Sequence, residues 1–206
     1  MCRMQNNATD TTEASAHRRD GINRRTLLAV AGAGIAGSVA AVDTARAAYA
    51  PSDQNLSFTC RPSSSEDVVI VTASWTWEDG KSGEPPEDVI VIYRDDFEWE
   101  YAEEYRTTDG VRFEGSHYED GTRGLEFRHD DVSASRGTEY AASVWLRPLR
   151  NDSTVYLEYT HTYDTNIREV NVGRDDDDRP TSTVQTSDPR GKWEKNRQLD
   201  ASECGY

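Results

Sequence analysis

Three histidines, His117, His129 and His161, stand in phase with the apolar residues of short alternating segments. Side chains two apart on an extended chain share a face, so each imidazole would turn toward the same interior as its apolar neighbours. Brought to one place, the three would make a nitrogen site for zinc or copper. The plainer reading, a partly buried strand histidine with a hydrogen-bond partner, outweighs it, and no metal is assigned from the sequence. Carboxylate pairs such as Asp130 with Asp131, or Glu103 with Glu104, are of the type that hydrolyses glycosides. Among 38 acidic residues, however, such pairs arise by composition. Asp175 to Asp178 lack the alternating spacing and the glycine of a calcium-wrapping loop, so a solvated acidic loop is expected there.

Local enzyme signatures are absent from the sequence. It contains no His-Glu-x-x-His, no Gly-x-Ser-x-Gly, no phosphate-binding glycine loop before Lys-Ser/Thr and no Cys-x-x-Cys. No catalytic residue and no cofactor is therefore expected. Exposed aromatic rings offer a different chemistry, because they stack sugars or seat protein partners. Trp75, Trp77, Trp99, Tyr101 and Tyr105 belong mostly to a core. Trp145 and Tyr156 fall on the face opposite the apolar set of their segments and are the candidate ligand face.

The elements that must position these groups read as strands. Leu56, Phe58 and Cys60 alternate with polar residues, as do Val69, Val71, Ala73, Trp75 and Trp77. A loop rich in Gly and Pro follows, from Glu78 to Pro86. Val89 to Tyr93 is apolar without alternation, which suits a strand buried on both faces. Phe97, Trp99 and Tyr101 share one face. Asp109-Gly110 and Asp120-Gly121 then mark hairpin turns around Val111 to His117 and before Leu125 to His129. Tyr140 to Leu146 and Val155 to Tyr163 alternate again, Ile167 to Val172 reads as a further strand, and Val184 with Trp193 reads as a last hairpin. No segment carries helical periodicity over three turns. Strands at this spacing, with turn chemistry between them, describe an all-β antiparallel two-sheet sandwich; a closed antiparallel barrel is the alternative.

Residues 1–47 have a different character. A polar, basic stretch ends in Arg24 and Arg25, and an apolar run of 16 residues, Leu27 to Val42, follows. The run is too short and too rich in Ala and Gly for a bilayer span of roughly 20 residues. Ala45-Arg46-Ala47 then offers a small-x-small cleavage pattern, with cutting after Ala47. Paired arginines before such a run point to the twin-arginine (Tat) export route. Residues 48–206 remain as a single acidic domain without a membrane span, expected outside the cell or at its surface.

That mature segment holds 17 basic and 34 acidic groups, a net charge of 17 − 34 = −17, and three of its basic residues are lysine. Such a surface repels phosphates and anionic lipid heads, which excludes nucleic acid as a partner. An extracellular ligand or an envelope component remains. Cys60 and Cys204 are the two mature thiols, and an oxidising compartment favours their pairing. Asn55 and Asn151 begin Asn-x-Ser sequons and are candidate glycan sites.

Arg24-Arg25, the acidic and Lys-poor composition, and the run from Trp75-Thr76-Trp77 through Gly83, Pro86, Asp88 and Val89 to Tyr159-Thr160-His161-Thr162-Tyr163 resemble exported proteins of halophilic archaea. The resemblance implies a secreted or surface location at high salt and assigns no activity. Two expectations follow: a non-catalytic binding or structural module, or a secreted hydrolase or metal-dependent enzyme whose site is assembled from separated strands. A concave pocket lined by the histidines would favour the second, and a closed sandwich the first.

Overall fold

The computed structural model describes residues 50–64, 67–78 and 86–205; Arg24, Arg25, Ala47 and most of the loop after Trp77 lie outside the described residues. Eleven strands form among those described: β1 (Gln54–Pro62), β2 (Val69–Trp77), β3 (Asp88–Asp95), β4 (Trp99–Thr107), β5 (Val111–Glu119), β6 (Thr122–His129), β7 (Tyr140–Pro148), β8 (Thr154–Thr162), β9 (Ile167–Arg174), β10 (Pro180–Thr186) and β11 (Lys192–Asp200). They assemble into a four-stranded sheet, β1-β2-β7-β4, a five-stranded sheet, β11-β8-β3-β6-β5, and a separate β9-β10 ribbon. All pairings are antiparallel, and the two large sheets stay separate. The architecture is thus a sandwich and not a closed barrel.

The core follows from period-2 alternation. On β2 the odd-numbered residues Val69, Val71, Ala73, Trp75 and Trp77 are buried, while Thr72, Ser74 and Thr76 between them are only partly so. They meet Ile90 and Ile92 of β3, Leu125 and Phe127 of β6, and Leu157 and Tyr159 of β8 in one continuous cluster. Each fully buried large apolar side chain contributes roughly 1.5–3 kcal/mol against its exposed state.

β3 lacks alternation because both of its faces are covered. Its inner face reads Asp88, Ile90, Ile92, Arg94, and its outer face carries Val89, Val91 and Tyr93. The outer set packs beneath Val170 and Val172 of β9 and Val184 of β10, so the ribbon forms a third layer over the five-stranded sheet. Val184 and Trp193 accordingly do not share a hairpin: β10 pairs with β9, whereas β11 pairs with β8 in a different sheet. Phe97 also departs from expectation. It stands 72% exposed in the turn before β4, and Trp99 begins the buried aromatic face instead.

In the two large sheets, both bulged strands lie at sheet edges. On β4 the register slips between Tyr101 and Tyr105, with Glu103 in the left-handed region at φ 57°. On β5 it slips between Phe113 and Gly115. Bulges of this kind interrupt an exposed ladder and discourage pairing with another chain.

Candidate functional site

The polar groups of the interior gather at the end of the sandwich where β3 begins. Asp88 opens β3, and its cross-strand partner on β6 is His129, the last residue of that strand. A single helical turn, Asp131–Ser133, follows directly and brings in Asp131, while His161 comes from the end of β8 on the other flank of β3. Asp88, His129, Asp131 and His161 are all 0% exposed. Aromatic rings wall the cluster. Trp75 and Tyr140 enclose His129, and Trp77, Tyr163 and Trp193 surround His161.

Asp88 is the hub. His161 Nδ1 lies 2.7 Å from its Oδ1, the Tyr159 hydroxyl donates to its Oδ2 at 2.5 Å, and the Thr162 backbone N–H donates to Oδ1 at 3.2 Å. Trp75 Nε1 donates to His129 Nδ1 at 3.2 Å, which fixes that nitrogen as the acceptor and puts the ring proton on Nε2. His129 Nδ1 stands 3.8 Å from Asp88, and His161 Nδ1 stands 3.5 Å from Asp131 Oδ2.

The two carboxyl groups differ in their proton affinity. Burial alone would raise Asp88, but the charge of His161 and the hydrogen-bonding neighbours outweigh it and hold the group below the usual range. Asp131 is pushed up to about 9, first by burial and then by repulsion from Asp88, Asp130 and Glu87. Neither Asp131 oxygen has a protein hydrogen-bond partner, an unusual state for a carboxyl at zero exposure.

The structure therefore unites His129 and His161 and leaves His117 out. The β5 bulge is the cause: Val111 and Phe113 pair with the inward-facing His129 and Phe127, but beyond the slip Gly115 pairs with Glu126 and His117 with Gly124. One extra residue turns the strand over, so His117 faces outward and its Nε2 lies 2.6 Å from Glu126 Oε2. Asp88 and Asp131 took the place that His117 was expected to fill. The signal for Asp88 was its phase, since it shares a face with Ile90 and Ile92.

Trp145 and Tyr156 do not form a ligand face. Trp145 lies on the outer side of the four-stranded sheet, 8% exposed, packed with Val68 and Ile70 under the Arg106 guanidinium. Tyr156 lies on the outer side of the other sheet, half-buried and stacked on Tyr93 with ring centroids 5.3 Å apart. Two outward residues on opposite sheets point in opposite directions. Asn55, on β1, and Asn151, in the β7–β8 turn, are both exposed. Cys60 and Cys204 form a disulfide.

At the other end of the inner face of β3, an open hollow of about 410 Å³ is lined by Arg94, Asp96, Trp99, Glu100, Tyr101, Glu103, Arg123 and Leu149. Arg123 is held by Asp96 through two bonds of 2.8 and 3.2 Å. Burial, together with the charge of Arg123, draws Arg94 down to about 10 despite the opposing pull of Asp96.

No family model matches the chain, and no curated protein matches it. Among solved structures it is similar to the collagen-binding subdomain of the Enterococcus faecalis surface protein ACE, with 10% identity over 70% of this chain and 95% of that one, TM-score 0.36. It is similar to the sixth cohesin of scaffoldin B from Acetivibrio cellulolyticus, solved with a mutant Cel5 dockerin, at 15% identity over 64% of this chain and 96% of that one, TM-score 0.36. A third likeness is to a structure described for Streptococcus parasanguinis adhesion by Fap1 fimbriae, at 12% identity over 71% of this chain and 89% of that one, TM-score 0.31. Neither the fold nor the site described above rests on these likenesses.

Proposed function

We propose that residues 48–206 are an exported, non-catalytic module that binds or braces a partner at the cell envelope or in the medium of a halophile. The observation that carries this reading is the closure of the sandwich over its reactive groups. Asp88, His129, Asp131 and His161, the polar groups gathered at the end of the sandwich, are at zero exposure behind tryptophan and tyrosine rings. General acid–base catalysis requires hydrogen-bond reach to the substrate, and a group sealed in a core has none. The disulfide supports an oxidising compartment, and the twin-arginine pattern at Arg24 and Arg25 supports the Tat route to it. A partner is then met by the outer surface, where the hollow beside Arg94 and Arg123 also carries Asp96, Glu100 and Glu103.

The test is recovery of a specific envelope component on immobilised mature domain in molar KCl, with recovery reduced by Leu149→Asp at the rim of the hollow. Turnover of a polysaccharide or peptide substrate that is lost in Asp88→Asn would overturn the reading. For the export route, Arg24→Lys with Arg25→Lys is expected to trap the protein inside the cell.

A further inference from the structure

We propose that Asp88, Asp131 and His161 form a site for one divalent transition-metal ion, zinc foremost, buried at the end of the sandwich. One donor atom from each of the three lies within 4.8 Å of the others, and the individual separations include 2.7 Å from His161 Nδ1 to Asp88 Oδ1 and 3.5 Å to Asp131 Oδ2. Donors about 2.0–2.2 Å from a tetrahedral zinc ion stand roughly 3.3–3.5 Å from each other, so small shifts would admit it.

Three features set this group apart from an ordinary polar core. Asp131 holds two fully buried oxygens without a hydrogen bond from another residue, and its Oδ2 faces His161 Nδ1 at 3.5 Å. Such a group is costly unless a ligand satisfies it. Among the described residues no Lys or Arg pairs with Asp88 or Asp131, and their ion-pair partners are histidines alone. Two buried carboxylates, once both are ionised, carry a charge that one divalent cation cancels. Finally, Asp88 is already oriented from behind by the Tyr159 hydroxyl and the Thr162 N–H, as outer-shell donors orient a ligating carboxylate.

The donor set selects the class of ion. Calcium takes six to eight oxygens, whereas two carboxylates and one imidazole suit a borderline ion that accepts few ligands. His129 is not one of the donors, because its Nδ1 already accepts from Trp75 and its Nε2 carries the ring proton. Binding of the ion is then coupled to folding, because all three donor residues are at zero exposure in the folded domain.

The experiment uses the exported domain, unfolded in guanidinium chloride with a chelator and refolded in molar KCl with or without zinc chloride. One equivalent of zinc should be retained through gel filtration, with a higher melting temperature than the metal-free protein. Asp131→Asn should weaken zinc binding at least tenfold, and His117→Gln should leave it unchanged. Should Asp131→Asn fail to fold, cobalt(II) refolded into the unsubstituted domain decides the matter. Intense visible bands of a four- or five-coordinate ion would support the site. No retained zinc, retention unaffected by Asp131→Asn, or only the pale spectrum of hydrated cobalt would overturn it.

Discussion

Gly124 of β6 and Val172 of β9 approach so closely that a Cβ built on Gly124 would lie 2.5 Å from Cγ1 of Val172 and 3.2 Å from Cγ1 of Val91. This absent side chain is what lets the ribbon settle onto the five-stranded sheet. Gly124→Ala is therefore expected to lift the ribbon and cost about 1–3 kcal/mol, the usual scale of overpacking. Adding Val172→Ala should recover part of that loss. Chemical denaturation of the two variants against the parent checks both.

Glu158 is 3% exposed on the outer face of β8, and its carboxyl is pushed up to about 7, chiefly by burial and then by Glu194. Thr160 Oγ1 donates to it at 3.1 Å, and Lys192 pulls the other way. A carboxyl raised from 4.5 in the unfolded chain binds its proton more tightly when folded. Its contribution to stability is fully present below pH 4.5 and is lost as pH rises through 7. The loss amounts to roughly 3 kcal/mol at most. Glu158→Gln should flatten the decline in unfolding free energy measured between pH 5 and 8; an unchanged slope would place the titration elsewhere.

The Cys60–Cys204 bond closes a loop across a sequence separation of 144. Loop entropy on that scale gives a stabilisation of about 5 kcal/mol before strain. Cys60→Ser with Cys204→Ser should lower the melting temperature accordingly, and thiol titration of the unreduced, unfolded parent should find neither cysteine free.

The mature segment's net charge of −17 repels itself across the whole domain at low ionic strength. The screening length is about 10 Å at 0.1 M salt and about 3 Å at 1 M. The melting temperature followed by circular dichroism should climb steeply between 0.1 M and 3 M KCl. A flat or falling curve would show that the acidity has another purpose, and it would remove much of the case for a halophilic setting.

The fold was legible where alternation ran unbroken. β2, β7 and β8 follow their apolar phase, and the uninterrupted run from Val89 to Tyr93 correctly announced a strand covered on both sides. The site was legible only in part. His129 and His161 kept their phase and met, whereas the bulge between Phe113 and Gly115 reversed the phase of His117, and a bulge leaves no mark in hydrophobic periodicity. Trp145 and Tyr156 were misplaced for a related reason. An outward-facing residue is exposed only if nothing covers the sheet, and the cover on Tyr93 and Tyr156 comes from strands far along the chain. The polar phase of Asp88 was visible, but its burial depended on the same long-range packing.

The disulfide has a mechanical consequence. Tension applied to the chain before Cys60 and beyond Cys204 passes straight across the sulfur–sulfur bond, so residues 61–203 lie outside the load path. Under such a pull β1 is peeled from β2 and β11 as far as Cys60, and the ribbon of β9 and β10 lies outside the loaded segment. A domain wired in this way can serve as a link under shear while its interior stays folded, and reduction of one covalent bond would expose the whole sandwich to the strain.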